Sequence, residues 1–210
     1  RNTLIKIKPF LKENQFLSLE STSYPGTTEE EICQPLSKHY KIGKNFFVSF
    51  SPERDDPGRK IDNYKIPRIV SGYSKKCRKI GSLLYSYIFK KIVEVENTRT
   101  AEMTKIYENV YRSVNIGLVN ELKKISHKMN IDIHSVIKAA KTKPYGFNAF
   151  YPGPGLGGHC IPIDPIYLSW KLENELSLLL TLFSLPIATH LIFQIFTTAG
   201  MELNFVLIHY

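Results

Sequence analysis

The sequence predicts an α/β fold, in which a mostly parallel sheet is followed by a helical region with one long helix. Short apolar runs alternate with helical patterns from residue 15 to residue 95, which is typical of a parallel sheet. The next segment, from Thr98 to about Met129, contains no proline and a single glycine, which predicts one continuous helix of roughly 45 Å. With 43% hydrophobic and 22% charged residues, the 210-residue chain has the composition of a globular protein.

The predicted strands are short and end in polar or glycine-containing turns. They cover residues 15–21, 46–50, 66–70 and 91–95. Between them, Thr28 followed by Glu31 forms a capping-box pattern that predicts a short helix, and another helical pattern runs over residues 74–90. Ser21-Thr22 and Ser51-Pro52-Glu53 follow the first two strands. Because ligands bind beyond the carboxyl ends of parallel strands, we expect these residues at a ligand-binding edge.

The predicted long helix has two different faces. Seven apolar residues share one broad face at 100° per residue: Met103, Ile106, Val110, Val114, Leu118, Leu122 and Ile125. Lys105, Asn109 and Arg112 have the spacing i, i+4, i+7 and lie on the opposite face. This trio is either the solvated side of the helix or a functional set. Ile116 and Val119 lie close to the same side, which indicates that this face is not wholly solvated.

A glycine-rich stretch follows a short helix that is predicted over residues 133–141 with Asp132 as its N-cap. Residues 153–158 match the pattern G-x-G-x-x-G, but prolines on both sides disfavour the strand and the helix that a dinucleotide-binding turn requires. The stretch therefore predicts an irregular loop whose backbone can approach a ligand closely.

The three cysteines differ in their surroundings. Cys160 lies in the glycine loop beside His159, with Asp164 four residues on, which favours a reactive thiol. Cys33 and Cys77 lie in helical stretches and are predicted to be buried, unreactive thiols. Three widely spaced cysteines form neither a disulfide framework nor a zinc pattern, so we expect a reducing, cytoplasmic compartment and no metal.

The positive charge of the chain is dispersed. Lys and Arg outnumber Asp and Glu by 28 to 19, which gives a net charge of +9. The basic residues occur in scattered pairs, which is typical of solvated faces and argues against a nucleic-acid partner, although an anionic small ligand fits this charge. The N-terminal segment lacks the long apolar core of a signal peptide.

Four motifs resemble one family, the UDP-glucose/GDP-mannose dehydrogenases, or nucleotide-sugar 6-dehydrogenases. They are ESTSYPGTTEE at 20–30, SPERDDPG at 51–58, EMTKIYENVYRSVNIGLVNEL at 102–122 and FYPGPGLGGHCIPIDPIYLSWK at 150–171. Within the family, the segment GGHCIPIDP looks most like the UDP-N-acetylglucosamine 6-dehydrogenases of bacterial surface-polysaccharide pathways. The chain departs from the UDP-glucose enzymes at Ile163, where those commonly have Lys, and at Pro57, where they often have a second Glu.

The resemblance implies an NAD-dependent, four-electron oxidation of the C6 alcohol of a UDP-sugar to a carboxylate. Cys160 matches the family's nucleophile, which forms a thiohemiacetal and then a thioester. Lys105 and Asn109 match the residues that stabilise the C6 oxyanion, and Asp164 matches the carboxylate that works with an ordered water in proton removal.

The resemblance also assigns residues at the strand edge and in the loop. Glu53 matches an acid that is credited with assisting thioester hydrolysis, and Thr22 matches a hydroxyl residue near water and cofactor. Gly155, Gly157 and Gly158 would let the loop backbone lie against the sugar nucleotide.

The family's layout implies that the chain is a fragment, because the strand and Gly-x-Gly-x-x-Gly turn that open the family's NAD domain do not precede Arg1. We expect residues 1–96 to be the later part of a Rossmann-like NAD-binding domain and residues 97–172 to be a central helical domain with the cysteine loop. Residues 173–210 would be an aberrant apolar tail in place of the UDP-binding domain. We expect the chain by itself to have no useful dehydrogenase activity. The uncharged run at 177–200 is expected to come from a shifted reading frame or assembly error, with a membrane anchor as the minority alternative.

Two other functions stay open. One alternative is a non-catalytic module that forms a homodimer through the long helix, since the resembled enzymes dimerise through this region. A less favoured alternative is a thiol hydrolase that uses His159 and Cys160. The sequence leaves the sugar open among N-acetylglucosamine, its manno epimer and galacto or uronate relatives.

Overall fold

The computed structural model describes residues 2–55, 61–155 and 164–171. The helices in these ranges are α1 (Asn2–Ile7), α2 (Gln34–Ser37), α3 (Lys75–Ser86), α4 (Thr98–Lys128), α5 (Ile133–Ala140) and α6 (Asp164–Lys171). The strands are β1 (Gln15–Leu19), β2 (Phe46–Phe50), β3 (Arg68–Val70) and β4 (Ile92–Glu94). A π-helical segment, Thr28–Cys33, continues directly into α2. All four predicted strands are therefore confirmed, three of them shortened by one or more residues.

The four strands form two parallel pairs, each a two-stranded sheet. β1 pairs with β2 in the register Gln15↔Phe46 to Leu19↔Phe50, and β3 pairs with β4. Hydrogen bonds join the two pairs in an antiparallel sense. The backbone N–H of Ser71 donates to the carbonyl of Phe50 at 3.1 Å, and the backbone N–H of Tyr73 donates to the carbonyl of Val48 at 3.1 Å. The carboxyl ends of β1 and β2 consequently lie at the same edge as the beginning of β3.

Helix α3 packs closely on this sheet. Its N-cap is Ser74, whose Oγ accepts a hydrogen bond from the backbone N–H of Cys77 at 3.2 Å. Gly81 lies in the middle of the helix because a Cβ at this position would approach side-chain atoms of Val70, Phe16 and Ser49 to 3.1–3.2 Å. A glycine in a helix interior is unfavourable by about 0.5–1 kcal/mol relative to alanine, and here it permits the close approach of helix and strands.

Cys33 and Cys77 are buried, as predicted, at 1% and 0% exposure. Cys33 belongs to an apolar cluster with Ile32, Leu36, Phe46 and Val48. Burial raises the pKa of its thiol, so the thiolate is disfavoured. Both residues behave as small core hydrophobes.

The capping-box prediction at Thr28 is wrong. The N-cap position of the π-helical segment is Thr27, and its side chain makes no capping hydrogen bond. The Thr28 hydroxyl instead donates to Glu102 of α4 at 2.6 Å, and the backbone N–H groups of Gly26 and Thr28 donate to the same carboxylate at 2.6 and 2.8 Å. A carboxylate from a distant helix therefore satisfies the donors at this helix beginning, in place of the local Glu31.

The long helix is confirmed, with Asn97 as its N-cap. Its buried side is formed mainly by Ala101, Glu102, Ile106, Asn109, Ser113, Gly117 and Val119. The apolar face that was identified from periodicity does not form a single core surface: Ile106 is fully buried, whereas Met103, Leu118, Leu122 and Ile125 are 40–55% exposed. The polar face with Asn109 packs inward, so the expectation that it is not wholly solvated is correct.

Helix α5 is also confirmed, and Asp132 accepts hydrogen bonds from the backbone N–H groups of His134 and Ser135. Ile133 and Ile137 of this helix pack on Val119 of α4, with Phe150 against them. In the part of the chain that the structure describes, no helix has the length and apolarity to cross a membrane. The apolar run at 177–200 lies outside the described residues.

Candidate active site

Helices α4 and α6 meet at a buried polar contact. Asn109 is 6% exposed on the inward side of α4, one turn after Lys105, and Asp164 is the first residue of α6 and is 2% exposed. The side-chain amide of Asn109 donates a hydrogen bond to Oδ2 of Asp164. A carboxylate in the first turn of a helix also interacts favourably with the helix dipole. The structure thus brings together Asn109 and Asp164, two residues that lie 55 positions apart.

The surroundings of Asp164 act on its pKa in opposite directions. Burial raises the pKa of Asp164, while the hydrogen bond from Asn109 and the positive charge of Lys105 lower it, and burial prevails. A carboxylate with a raised pKa is a better proton acceptor than an ordinary surface aspartate. This contact has the chemistry of a general base that is bound to an amide and feels the positive charge of a lysine.

A second polar cluster lies at the carboxyl edge of β1 and β2, where the sequence predicted a ligand edge. Glu53 follows β2, and its Oε2 accepts a hydrogen bond from Nη1 of Arg68 at 2.8 Å. Oε2 of Glu20, which follows β1, lies 2.8 Å from Nη2 of the same arginine. Thr22 is half-buried two residues further on. Next to it, the buried Oγ of Ser23 has no hydrogen-bond partner among the residues that the structure describes.

Glu53 has the opposite electrostatic character to Asp164. Burial raises the pKa of Glu53, but the hydrogen bond and charge of Arg68 and the backbone N–H groups of Arg54 and Asp55 outweigh it and hold the pKa below its ordinary value. Glu53 is therefore ionised at neutral pH and is a weak base. The two carboxylates in these clusters are suited to different tasks.

The first part of the glycine loop, up to residue 155 where the described segment ends, is hydrogen-bonded to α4. Oδ1 of Asn120 accepts a hydrogen bond from the backbone N–H of Gly153 at 2.9 Å, and its Nδ2 donates to the carbonyl of Gly155 at 3.3 Å. A Cβ at Gly155 would meet no atom of the described residues within 4 Å, so these residues leave space open beside this backbone. Gly157, Gly158 and Cys160 lie outside the described residues.

The predicted trio on α4 divides between two places. Asn109 contacts Asp164, and the charge of Lys105 lowers the pKa of the same carboxyl group. Arg112 instead lines an open pocket of about 320 Å³ together with Arg54 and Lys65. Arg54 in this pocket forms a two-pronged ion pair with Glu108 of α4, at 2.6 and 3.2 Å. No group of three or more His, Cys, Asp and Glu side chains in the described ranges is arranged to hold a metal ion.

Sequence reasoning missed three residues that organise these clusters: Glu102, Arg68 and Asn120. Arg68 left a signal, because it is the only charged residue in the apolar run 66–70 and a buried charge requires partners. Glu102 and Asn120 left none, since a glutamate or asparagine in a helix is ordinarily a solvated residue.

Comparison with known proteins assigns the chain to a family. The model for the NAD binding domain of the UDP-glucose/GDP-mannose dehydrogenase family matches residues 1–89, and the model for the family's central domain matches residues 99–184. A UDP-N-acetyl-D-glucosamine 6-dehydrogenase of Pseudomonas aeruginosa is 38% identical over 169 residues, which is 78% of this chain and 39% of that protein. Protein CapL of Staphylococcus aureus is 43% identical over 160 residues, 74% of this chain and 37% of CapL.

Solved structures agree with this assignment. The structure of a UDP-D-ManNAc dehydrogenase from Pyrococcus horikoshii has a TM-score of 0.77 and 30% identity, and the match covers 95% of this chain and 49% of that one. The native structure of the UDP-N-acetyl-mannosamine dehydrogenase Cap5O from Staphylococcus aureus has a TM-score of 0.69 and 38% identity, with 81% and 42% covered. The chain spans 37–39% of the length of the curated relatives described above. It belongs to the UDP-glucose/GDP-mannose dehydrogenase family.

Proposed function

We propose that this chain carries the later part of the NAD-binding domain, residues 1–96, and the central helical domain, residues 97–172, of an NAD-dependent UDP-N-acetylhexosamine 6-dehydrogenase. The buried contact between Asn109 and Asp164 beside Lys105 is the main observation in its favour. It combines a proton acceptor, a cation and an amide donor, which oxidation of an alcohol requires at one carbon. Similar proteins include a UDP-N-acetyl-D-glucosamine 6-dehydrogenase and a UDP-N-acetyl-D-mannosamine dehydrogenase, so the sugar is proposed as an N-acetylhexosamine.

The polar side chains at the carboxyl edge of β1 and β2 are suited to hydrogen bonds with a dinucleotide. The unpaired, buried Ser23 Oγ requires a partner that the described protein residues do not supply, and the Thr22 hydroxyl and Glu53 carboxylate lie at the same edge. These residues would hold NAD. When bound, NAD accepts the hydride in each of two successive oxidations.

The protein residues would act in order on one carbon atom. Asp164, through a water, takes the proton of the C6 hydroxyl as the alcohol becomes an aldehyde, and Lys105 and Asn109 stabilise negative charge on its oxygen. The Cys160 thiolate then bonds to the aldehyde carbon and gives a thiohemiacetal. The second oxidation leaves a thioester. Water adds to the thioester and releases the carboxylate, and the carbon–sulfur bond breaks to restore the thiolate.

Glu53 would take part in the last step without exchanging a proton. Its low pKa means that it stays ionised, so it would orient the attacking water as a hydrogen-bond acceptor. Gly155, Gly157 and Gly158 would allow the backbone of the loop to approach the sugar nucleotide.

A chimeric enzyme tests this proposal. Residues 10–172 replace the matching segment of the Pseudomonas aeruginosa relative, and NADH is measured with limiting UDP-N-acetylglucosamine or UDP-N-acetylmannosamine. With one of the two substrates we expect two NADH for each molecule of UDP-sugar consumed. The Cys160→Ala variant should give at most one NADH for each molecule, because it cannot form the thioester. A chimera that folds like its parent yet oxidises neither sugar contradicts the proposal. Two NADH per sugar in the alanine variant contradict the role of Cys160.

We also propose that the chain forms a homodimer through α4. Met103, Leu118, Leu122 and Ile125 follow one another along the exposed side of this helix at 40–55% exposure, which favours an apolar contact with a second copy.

The substitutions Leu118→Glu and Leu122→Glu are expected to shift the full chain from dimer to monomer in sedimentation equilibrium, because they place carboxylates in the contact. Leu83→Glu on α3 is the matched control, since Leu83 is 61% exposed and lies outside this side of α4. A wild-type monomer at all concentrations, or a dimer that survives both substitutions, excludes the contact.

A further inference from the structure

Arg68 is a buried cation at the strand edge. Its residue exposure is 2%, and its guanidinium carbon lies 5.1 Å from the ring centre of Tyr85 and 5.0 Å from that of Phe89. Contacts with aromatic faces stabilise a cation and also restrict its movement. The charge of an arginine remains at all relevant pH values, so the surrounding groups must neutralise it.

The guanidinium of Arg68 has its polar partners among the described residues at the ends of β1 and β2. Nε donates to Oγ of Ser51 at 2.7 Å, Nη2 donates to the carbonyl of Ser51 at 3.0 Å and contacts Oε2 of Glu20 at 2.8 Å, and Nη1 donates to Oε2 of Glu53 at 2.8 Å. The planar fork of the guanidinium therefore binds two carboxylates and one backbone segment together. A lysine, with a single ammonium group, cannot reproduce this arrangement.

The two carboxylates differ from the arginine in their exposure. The side chains of Glu20 and Glu53 are 46% and 54% exposed, whereas that of Arg68 is 3% exposed. Glu20 is also fixed by the hydroxyl of Tyr85, which donates to its Oε1. The buried arginine thus holds two partly exposed carboxylates.

Glu53 has one acceptor position left. Its Oε1 accepts hydrogen bonds from the backbone N–H groups of Arg54 and Asp55 at 2.8 and 3.0 Å, and its Oε2 accepts from Arg68. A carboxylate has about four lone-pair positions, so three donors from the described residues leave room for about one more. That remaining position suits a water molecule or a hydroxyl group.

We infer that Arg68 is a positioning residue, which fixes the ionised carboxylate of Glu53, together with Glu20, as a hydrogen-bond acceptor at the edge of the sheet. The assignment of a catalytic task to Glu53 rests on the proposed function, whereas the contact with Arg68 does not. Among the described residues, the charged neighbours of Glu53 along the chain are Asp55, which is exposed, and Arg54, whose guanidinium is bound to Glu108. Arg68 is the cation that directly contacts the Glu53 carboxylate within the described ranges.

The titration of Glu53 in the full chain tests this inference. Carboxyl ¹³C NMR follows each glutamate, and Glu53→Gln identifies the signal. In Arg68→Gln we expect the midpoint for Glu53 to rise by about one pH unit or more, because an opposite charge in contact with a carboxylate lowers its pKa by about that amount. Arg78→Gln is the matched control: Arg78 also pairs with a glutamate, Glu94, at 3.2 Å, and its loss should leave Glu53 unchanged.

A second variant keeps the test decisive if Arg68→Gln does not fold. Glu20→Gln removes a like charge and leaves the guanidinium paired with a single carboxylate, so the midpoint for Glu53 should fall. An unchanged midpoint in Arg68→Gln, or a midpoint that does not fall in Glu20→Gln, overturns the inference. An inactive chimera combined with the expected titrations would refute the proposed function and leave the role of Arg68 intact.

Discussion

Replacing Asp164 by asparagine is expected to lower kcat of the chimeric enzyme by about 10²–10⁴-fold, the usual contribution of a general base. Asparagine has nearly the same shape and can still accept the hydrogen bond from Asn109, but it cannot take a proton. Asp132→Asn is the matched control, because Asp132 is an exposed N-cap and asparagine caps helices equally well. Wild-type activity in Asp164→Asn excludes Asp164 as the base.

The pH dependence gives a further check on Asp164. Because the base acts when it is deprotonated, kcat should fall as the pH drops through the raised pKa of Asp164. Lys105→Met removes a charge that lowers this pKa, so the acid limb of the profile should move to higher pH. An acid limb that stays in place in this variant contradicts the proximity of Lys105 to Asp164.

The Asp164→Asn variant should not be less stable than the wild type. The folded-state pKa of Asp164 is above its ordinary value, so its contribution to the unfolding free energy is fully present below the unfolded pKa, near 3.9, and is lost as the pH rises through the folded value. The Asp164→Asn variant has no ionisable side chain at this position, so it does not lose this stability as the pH rises. In urea titrations of the full chain, its advantage over the wild type should therefore grow as the pH rises from about 3.9 through the folded pKa of Asp164, and should stay constant at higher pH. Lower activity with equal or greater stability distinguishes a functional charge from a structural one.

Local patterns predicted the elements of this fold well. The β2 run 46–50 is entirely buried, so its apolar sequence had one interpretation, and α4 has no proline to interrupt its helical period. Asp132 was predictable as a cap because its partners are two and three residues away. The hydrogen bond of Thr28 was not predictable, because its acceptor, the carboxylate of Glu102, lies 74 residues away in the sequence.

The candidate site was predicted by another route. Periodicity placed Lys105 and Asn109 on one face of α4 but gave no reason to prefer function over solvation. The family resemblance supplied roles, and the structure adds that Asn109 contacts Asp164. The burial that separates the pKa values of Asp164 and Glu53 depends on tertiary packing, so no pattern of residue types along the chain contains it.

Glu102→Ala is expected to lower the unfolding free energy of the full chain by about 3–5 kcal/mol. Glu102 is fully buried, and its removal leaves two backbone N–H groups and one hydroxyl without their acceptor, each unsatisfied group costing about 1–3 kcal/mol before water or local movement relieves it. The contact joins the segment after β1 to α4, three residues before Lys105, so its loss should also loosen the connection between the strand edge and the helix that carries Asn109.

Glu102→Gln separates the charge from the hydrogen bonds. The glutamine oxygen can still accept from Thr28, but its amide faces the Gly26 donor, so we expect a smaller loss of about 1–2 kcal/mol. Burial raises the pKa of Glu102, more than its hydrogen bonds from Thr28 and Gly26 lower it. The wild type therefore loses stability as the pH rises from the unfolded pKa of a glutamate, about 4.3, through the folded pKa of Glu102, and the penalty of Glu102→Gln should shrink over that interval.

The matched control for both substitutions is Glu121→Ala. Glu121 lies on the same helix and pairs with Lys124 at 2.7 Å near the surface, where such a pair contributes about 0.3–0.5 kcal/mol. Urea titrations followed by circular dichroism give the three free energies. If Glu102→Ala loses no more stability than Glu121→Ala, the buried carboxylate does not hold the Gly26–Thr28 turn on α4. A penalty that grows with pH in Glu102→Gln would show instead that the ionised form is the stabilising one.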